Sequence, residues 1–353
     1  MPDLSECRYC SEVSIAQGED PIGTAGVAEQ WLIIEVPRPW KKNLWQEKTA
    51  YQGIIKVVIE LEKQKHDLSL RLMAIAPDKK YSEPDFIRLF YYLRPEEMFA
   101  KYEKHEYLVP SSQLISLVRA ILLEPQKLEQ FENNKQKTEN IREILVCTHT
   151  HHDTACGRYG TPLYQKLKKN YASENLRIWH TSHFGGHRFA PTLIDFPSGR
   201  FWGHLKPELL DLLVYEQGDP RQLEKCYRGW AGLEKFAQIA EREIWIREGW
   251  EWFNYPKSGR IIAKDQGNIF KILLRSVLQL IPIKKAKFLL KLLDRNLRWV
   301  EVEITYFDPN NSPKQAYRTK VEMIGNITTA NKSTKDMKLS SVSQYSVMEI
   351  EKK

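Results

Sequence analysis

Long apolar runs are missing from this chain of 353 residues. No stretch approaches the roughly 18 apolar residues that a membrane span needs, so no segment is expected to cross a bilayer. The start, Met-Pro-Asp-Leu-Ser-Glu, carries neither a basic n-region nor an apolar h-region, which argues against a secretion signal. Cysteine is scarce and odd in number, five in all. A framework of paired disulfides is therefore not expected, and a reduced, cytoplasmic setting is.

A chain-wide basic groove is missing too. The net charge is +8, but nine Lys/Arg against two Asp fall between Lys264 and Arg298, so that segment alone holds +7. The remainder is balanced, which is no footprint for nucleic acid. An apolar stretch with interleaved lysines, split at Pro282, reads as a basic amphipathic helical segment. It could dock an acidic protein partner or touch a membrane surface peripherally.

What is present is ample material for folding, with 42% apolar and 11% aromatic residues, in a chain long enough for two or three domains. The run 31–36 reads as a buried strand closed by Pro37 and Pro39, followed by helical spacing over 51–65 and strand patterns near 68–72, 86–93 and 107–109. Ser112 can cap a helix through Leu122. A polar stretch over 124–141 follows, and then the same order returns: a strand at 144–146, a helix over 157–170, a strand at 176–180, a hairpin of 192–196 with 201–205, and a helix over 207–216. An order that appears twice predicts an internal duplication.

The expected class is α/β, with two tandem thioredoxin-like domains. The first spans 1–125 and lacks ligands; a linker covers 126–141, and the second domain spans 142–220. A Trp-rich helical region with the basic segment covers 221–298, and a small β region and tail cover 299–353, where 327–342 is Ser/Thr/Lys-rich and expected to be loose. Pro191 falls where thioredoxin-like folds often hold a cis proline.

Two short loops after strands carry the chemistry. Cys147-Thr-His-Thr-His-His-Asp-Thr-Ala-Cys156 and His183-Phe-Gly-Gly-His187 place two thiols and two imidazoles at strand ends, with eight, twenty-six and three residues between successive donors. That is a four-ligand metal or cluster site in outline. The cysteines stand too far apart for a zinc knuckle, where about two to four residues separate paired ligands. They are also too far apart for a thioredoxin-type redox pair. A Cys2His2 zinc site remains chemically sensible, while soft thiolates, on loops long enough to surround a larger group, favour an iron–sulfur cluster. Gly185 and Gly186 let the backbone turn sharply beside it. His149, His151 and His152 are further donors that could replace a ligand, and Cys7-Arg-Tyr-Cys10 reads as a reduced thiol pair near a mobile end.

At these residues the chain resembles the sucrase/ferredoxin-like proteins, a branch of thioredoxin-like [2Fe–2S] ferredoxins. The matching pieces are Cys147-Thr-His, Cys156-Gly-Arg-Tyr-Gly-Thr-Pro, His183-Phe-Gly-Gly-His187-Arg-Phe-Ala, Gly23-Thr-Ala-Gly and Trp31-Leu-Ile-Ile-Glu-Val-Pro. They span roughly residues 5 to 255, and the His-x-Gly-Gly-His piece is the specific one. The resemblance implies a [2Fe–2S] cluster held by Cys147, Cys156, His183 and His187, and an electron-carrying role. Gly157, Arg158, Gly185, Gly186 and Arg188 are its expected neighbours. One-electron reduction of a cluster with neutral imidazoles adds negative charge, and proton uptake by His183 or His187 is expected to accompany it. A flavoprotein reductase or ferredoxin is the implied partner class, meeting the basic 264–298 segment. Sucrose hydrolysis needs two carboxyls about 5–9.5 Å apart, and no such pair stands out.

Overall fold

The computed structural model describes residues 4–47, 49–64, 69–265, 297–309, 311–334 and 337–353. The expectations for the basic segment 264–298 fall almost wholly on 266–296, outside the described residues. In chain order the elements are α1 (Cys10–Ala16), β1 (Gln30–Glu35), α2 (Leu44–Glu47), α3 (Thr49–Gln64), β2 (Leu70–Ile75), β3 (Phe86–Leu93), β4 (Glu103–Pro110), α4 (Leu114–Leu122) and β5 (Lys135–Gln136). They continue with β6 (Arg142–Cys147), α5 (Thr154–Asn170), β7 (Leu176–Thr181), β8 (Leu193–Phe196), β9 (Arg200–Trp202), α6 (Leu210–Tyr215), β10 (Tyr227–Trp230) and α7 (Lys235–Glu248). The chain ends in β11 (Lys257–Lys264), β12 (Trp299–Asp308), β13 (Asn311–Ala330) and β14 (Leu339–Lys352).

Ten strands form one mixed sheet in the order β10-β9-β8-β6-β7-β2-β1-β3-β4-β5. The parallel pairs are β1–β2 and β6–β7, each joined by a helical crossover. Strands β1 and β6 read as unbroken apolar runs because both their faces are covered, and Trp31 to Ile34 and Ile144 to Val146 are fully buried. Outward from the middle, β2-β1-β3-β4 and β7-β6-β8-β9 repeat one strand order. A second sheet, β11-β12-β13-β14, is an antiparallel meander packed against α7.

The two half-sheets meet at a narrow seam, a single pair of ladder residues, Ile75 with Thr181. Side chains supply the rest. Thr181 Oγ1 donates to the Ala74 carbonyl at 2.9 Å, and Ser182 Oγ accepts from the Ala74 N–H at 2.9 Å. Farther along the sheet, buried charges tie strands of both halves. Lys104 of β4 contacts Glu143 of β6 at 2.6 Å, and Arg177 of β7 reaches Glu106 of β4 at 3.0 Å. Trp179 Nε1 donates to Glu143 at 2.6 Å. Such an assembly tolerates burial only because each charge has a counterpart.

Several elements differ from the sequence-based expectation. The region after 221 begins in a 3-10 turn, Pro220–Cys226, and then enters a buried strand, β10, which pairs with β9; aromatic Tyr227 and Trp230 suit a strand. The polar run 126–141 lies against the first half-sheet, with Phe131 buried and β5 paired to β4. A 3-10 turn at Ser111–Gln113 precedes α4, so Ser112 does not cap it. Of the stretch expected to be loose, 327–342, both ends continue the β13–β14 ladder, from Ile327 with Val342 to Ala330 with Leu339. Backbone pairing and β-branched threonines hold it without an apolar stripe. Pro191 follows a cis peptide bond.

Truncating Glu143 takes from buried Lys104 its nearer counter-charge and leaves it Glu106 at 3.6 Å. Glu143→Ala is expected to cost about 3–5 kcal/mol in denaturant unfolding, and a loss below about 1 kcal/mol would show that the buried charges do not join the half-sheets.

Candidate metal centre

Cys147 ends β6 directly opposite Thr181, the last residue of β7. Because the strands are parallel, the loop after each leaves from the same end of the sheet. The first loop is short and runs straight into α5. Asp153 caps that helix, accepting from Ala155 N–H at 2.9 Å, and Cys156 lies in its first turn. Gly160 lets the helix sit close, since a Cβ there would run into the Cys147 carbonyl.

Three of the four predicted donors, Cys147, Cys156 and His183, lie together. Cys147 and Cys156 are each 1% exposed, and the His183 Nδ1 atom lies 3.8 Å from the first sulfur and 3.6 Å from the second. These three ligand atoms all fall within 4.8 Å of one another. His187 stands one ring farther out, its centroid 5.4 Å from that of His183. Its Nδ1 faces two residues that the sequence gave no reason to place there, Cys10 at 3.1 Å and Asp153 at 3.3 Å. His152 stacks on His183 with centroids 3.7 Å apart.

Of the three extra histidines, His149 is committed elsewhere. Its Nδ1 accepts from the His183 N–H at 3.3 Å and its Nε2 faces the Trp40 carbonyl at 3.1 Å. His151 is exposed, which leaves His152 as the nearest spare imidazole. A pocket of about 420 Å³ opens beside this loop, lined by Arg38, Trp40, His149 and His151 among others.

The electrostatics suit soft-metal ligation. Burial pushes the Cys147 thiol up, but hydrogen bonding with Cys156 and His183 outweighs it and holds Cys147 well below the ordinary thiol value. Cys156 moves the opposite way, raised by its bond to Cys147 and by burial. The two thiols are thus shifted in opposite directions, with the thiolate form favoured on Cys147. Burial lowers His187, and lowers His152 to about 4, so both rings are neutral near pH 7 and able to ligate.

The cation beside the sulfurs is Arg228, which the sequence reading overlooked. It is buried, and its Nη1 donates to the Gly185 carbonyl at 3.0 Å while Nη2 donates to the Thr24 carbonyl at 2.8 Å. Burial pulls its pKa down to about 9, against the pull of Cys147 and Cys156. Gly186 adopts φ +79, and a Cβ on it would enter the Arg228 guanidinium; this explains the second glycine of the His-x-Gly-Gly-His piece. Arg158 and Arg188 were expected to neighbour the donors. Arg158 is exposed, and Arg188, whose charge bears on His187, is paired with Glu19 at 2.7 Å. Arg228 sits within an aromatic run, Tyr227-Arg-Gly-Trp230, and a lone charge in such a strand was the signal available.

The sucrase/ferredoxin-like family pattern matches residues 21–229, more than half of the chain. Among relatives, altered inheritance of mitochondria protein 32 of Debaryomyces hansenii is 31% identical over 153 residues, covering 40% of this chain and 52% of that protein. The protein of the same name from Clavispora lusitaniae is 33% identical over 92 residues, covering 24% of this chain and 34% of its own length. The chain thus spans about half the length, or less, of these relatives. A thioredoxin-like [2Fe–2S] ferredoxin from Aquifex aeolicus matches at 20% identity with a TM-score of 0.19, over 22% of this chain and 80% of the other. No helix among the described residues is long and apolar enough to cross a membrane. With the match running from Pro21 to Gly229 and the half-sheets inside it, the chain belongs to the sucrase/ferredoxin-like family.

Proposed function

We propose that this protein is an electron carrier whose Cys147, Cys156, His183 and His187 hold a [2Fe–2S] cluster. The observation that carries the reading is the gathering of two buried sulfurs and the His183 imidazole from loops at one end of neighbouring parallel strands, with the His187 ring 5.4 Å beyond that of His183. The donor set suits the group, since thiolate with imidazole is a ligand set found in iron–sulfur centres. When bound, the cluster would supply one-electron oxidation and reduction. The chain's own residues prepare the site: Cys147 offers a thiolate, Arg228 lies near enough to offset sulfur charge, and the loops bury the sulfurs from water. His152, neutral near pH 7 and stacked on His183, is placed to take up a proton when negative charge builds.

A single zinc ion is the second reading. Donors of a tetrahedral site with metal–sulfur bonds of about 2.3 Å lie roughly 3.8 Å apart, and His183 meets both sulfurs near that spacing. The position of His187, one ring beyond this trio and facing Cys10 and Asp153 through Nδ1, favours the longer two-iron group.

The repeated half-sheet order supports a duplication of thioredoxin-like units, 1–125 and 142–220, of which the first keeps no donors and serves as scaffold. Sheet β11-β14 is then the small β region of 299–353 joined by β11. A flavoprotein reductase or ferredoxin is the partner class such a carrier needs, and the positive 264–298 segment favours an acidic one. Free thiols suit a reducing compartment, the cytoplasm in our reading; the fungal relatives are named for mitochondrial inheritance.

Protein purified without oxygen is expected to be coloured and to contain iron and acid-labile sulfide. Colourless protein with stoichiometric zinc would replace this reading by the second. His183→Cys is expected to keep the cluster and lower its midpoint potential, because thiolate ligation moves it from the Rieske range toward the about −400 mV of plant-type ferredoxins. Proton uptake with the electron predicts a potential that falls as pH rises, read by potentiometry between about pH 6 and 9; a flat profile rules the coupling out.

A further inference from the structure

The Cys7-x-x-Cys10 piece, which the sequence suggested was peripheral, reaches the centre. Cys10 opens α1, is fully buried, and lies 3.1 Å from His187 Nδ1. Asp153 is 4% exposed and lies on the same nitrogen, with Oδ2 at 3.3 Å, and Cys10 Sγ donates toward its other oxygen at 3.9 Å. Ser333, in the turn between β13 and β14, closes the set from the far end of the chain. Its N–H donates to Asp153 Oδ2 at 3.0 Å, its hydroxyl donates to Cys10 Sγ at 3.2 Å, and its Oγ accepts from the Cys10 N–H at 3.0 Å. Asp153 Oδ1 meanwhile caps α5, whose first turn carries Cys156.

We propose that Asp153, held by Ser333 and Cys10, is the positioning residue of the centre, fixing His187 with Nδ1–H turned to the carboxylate and Nε2 left as the ligating nitrogen. The inference rests on the cluster reading. Metal-bound imidazoles commonly donate their second N–H to a carboxylate, which sets the tautomer and makes the ring a stronger donor. Two carboxylate oxygens divide the work here, one on the helix that carries Cys156 and one on His187. A single side chain thereby sets the distance between a sulfur ligand and a nitrogen ligand. Helix α1 and the β13–β14 turn, which lie outside both half-sheets, act on the centre through it.

Asp153→Asn is the informative change, since asparagine caps a helix as well as aspartate does but carries no charge. The full chain purified without oxygen, wild type beside variant, gives four measurements: iron and labile sulfide per chain, thermal unfolding, midpoint potential, and iron release to a chelator. Asp153→Asn is expected to raise the midpoint potential and to speed iron release by about 10–100-fold, with unfolding unchanged. Ser333→Ala, which keeps its N–H on Asp153, is expected to shift both in the same direction by less. A loaded wild type with a variant of unchanged potential and release rate overturns this inference alone. Wild type without iron and sulfide overturns the cluster reading and this with it. A further ion bound per chain and lost in Asp153→Asn would make Cys10, Asp153 and His187 a separate metal site, and would overturn the positioning role. Should Asp153→Asn not fold, Ser333→Ala decides by the same two readouts.

Discussion

In the ladder between β6 and β7, Cys147 faces Thr181, and that register governs where every donor can go. A slip of one residue would turn Cys147 to the opposite face of the sheet. The loop from Cys147 to the cap of α5 spans only Thr148 to Asp153, too short to carry Cys156 far from the strand end. The second loop starts from the matching point on β7 and reverses at Gly185 and Gly186. Parallel pairing, a short loop and a left-handed turn thus bring two sulfurs and one imidazole together, with the second imidazole one ring farther out. A thiolate buried there needs a compensating group nearby, and the Arg228 guanidinium of β10 is placed to act on both sulfurs.

The first half-sheet has no thiolate or imidazole at the end of β1, yet it is not remote from the chemistry. Its Trp40 carbonyl faces His149, and His149 accepts from the His183 N–H, so the backbone of the donor-free half holds the donor loop through one ring. Ala74 and Thr181 bind the strand ends just beneath. With so few ladder bonds at the seam, the geometry of the centre depends on the polar contacts that join the halves. Lys104, Glu143, Arg177 and Glu106 belong to the same set, and their burial makes the joint cooperative: removing one member weakens the compensation of the others.

The parts legible in the sequence were those written within one short window. Soft donors after two apolar strands, a Gly-Gly reversal between histidines, and a repeated order of strand, helix, strand and hairpin all lie within reach of a local pattern. Cys10, Ser333 and Arg228 do not. Each reaches the centre only through tertiary packing, from the first helix, the last hairpin and a strand in a region whose tryptophans suggested helix. Ser333 was further masked by composition, since a Ser/Thr/Lys-rich stretch carries no apolar period even where backbone pairing keeps it in a ladder. Asp153 was visible but anonymous: one acidic residue in a polar loop has no signature until a histidine thirty-four positions later faces it.

The placement of the two ends of the chain follows from what an exposed imidazole pair would otherwise meet. His183 and His187 are partly exposed, and water at their free nitrogens would compete with any fixed tautomer. Helix α1 and the β13–β14 turn fill that side with a small apolar cluster of Cys10, Val13, Ala155, Ala190 and Ala330. Small side chains there let the backbones approach closely enough for Ser333 to bond both Asp153 and Cys10. Dry surroundings strengthen the hydrogen bonds so enclosed. The half-sheet alone can gather the donors, but only the added ends can hold the outer imidazole in one orientation, which gives the regions outside the repeated fold a direct hold on the chemistry inside it.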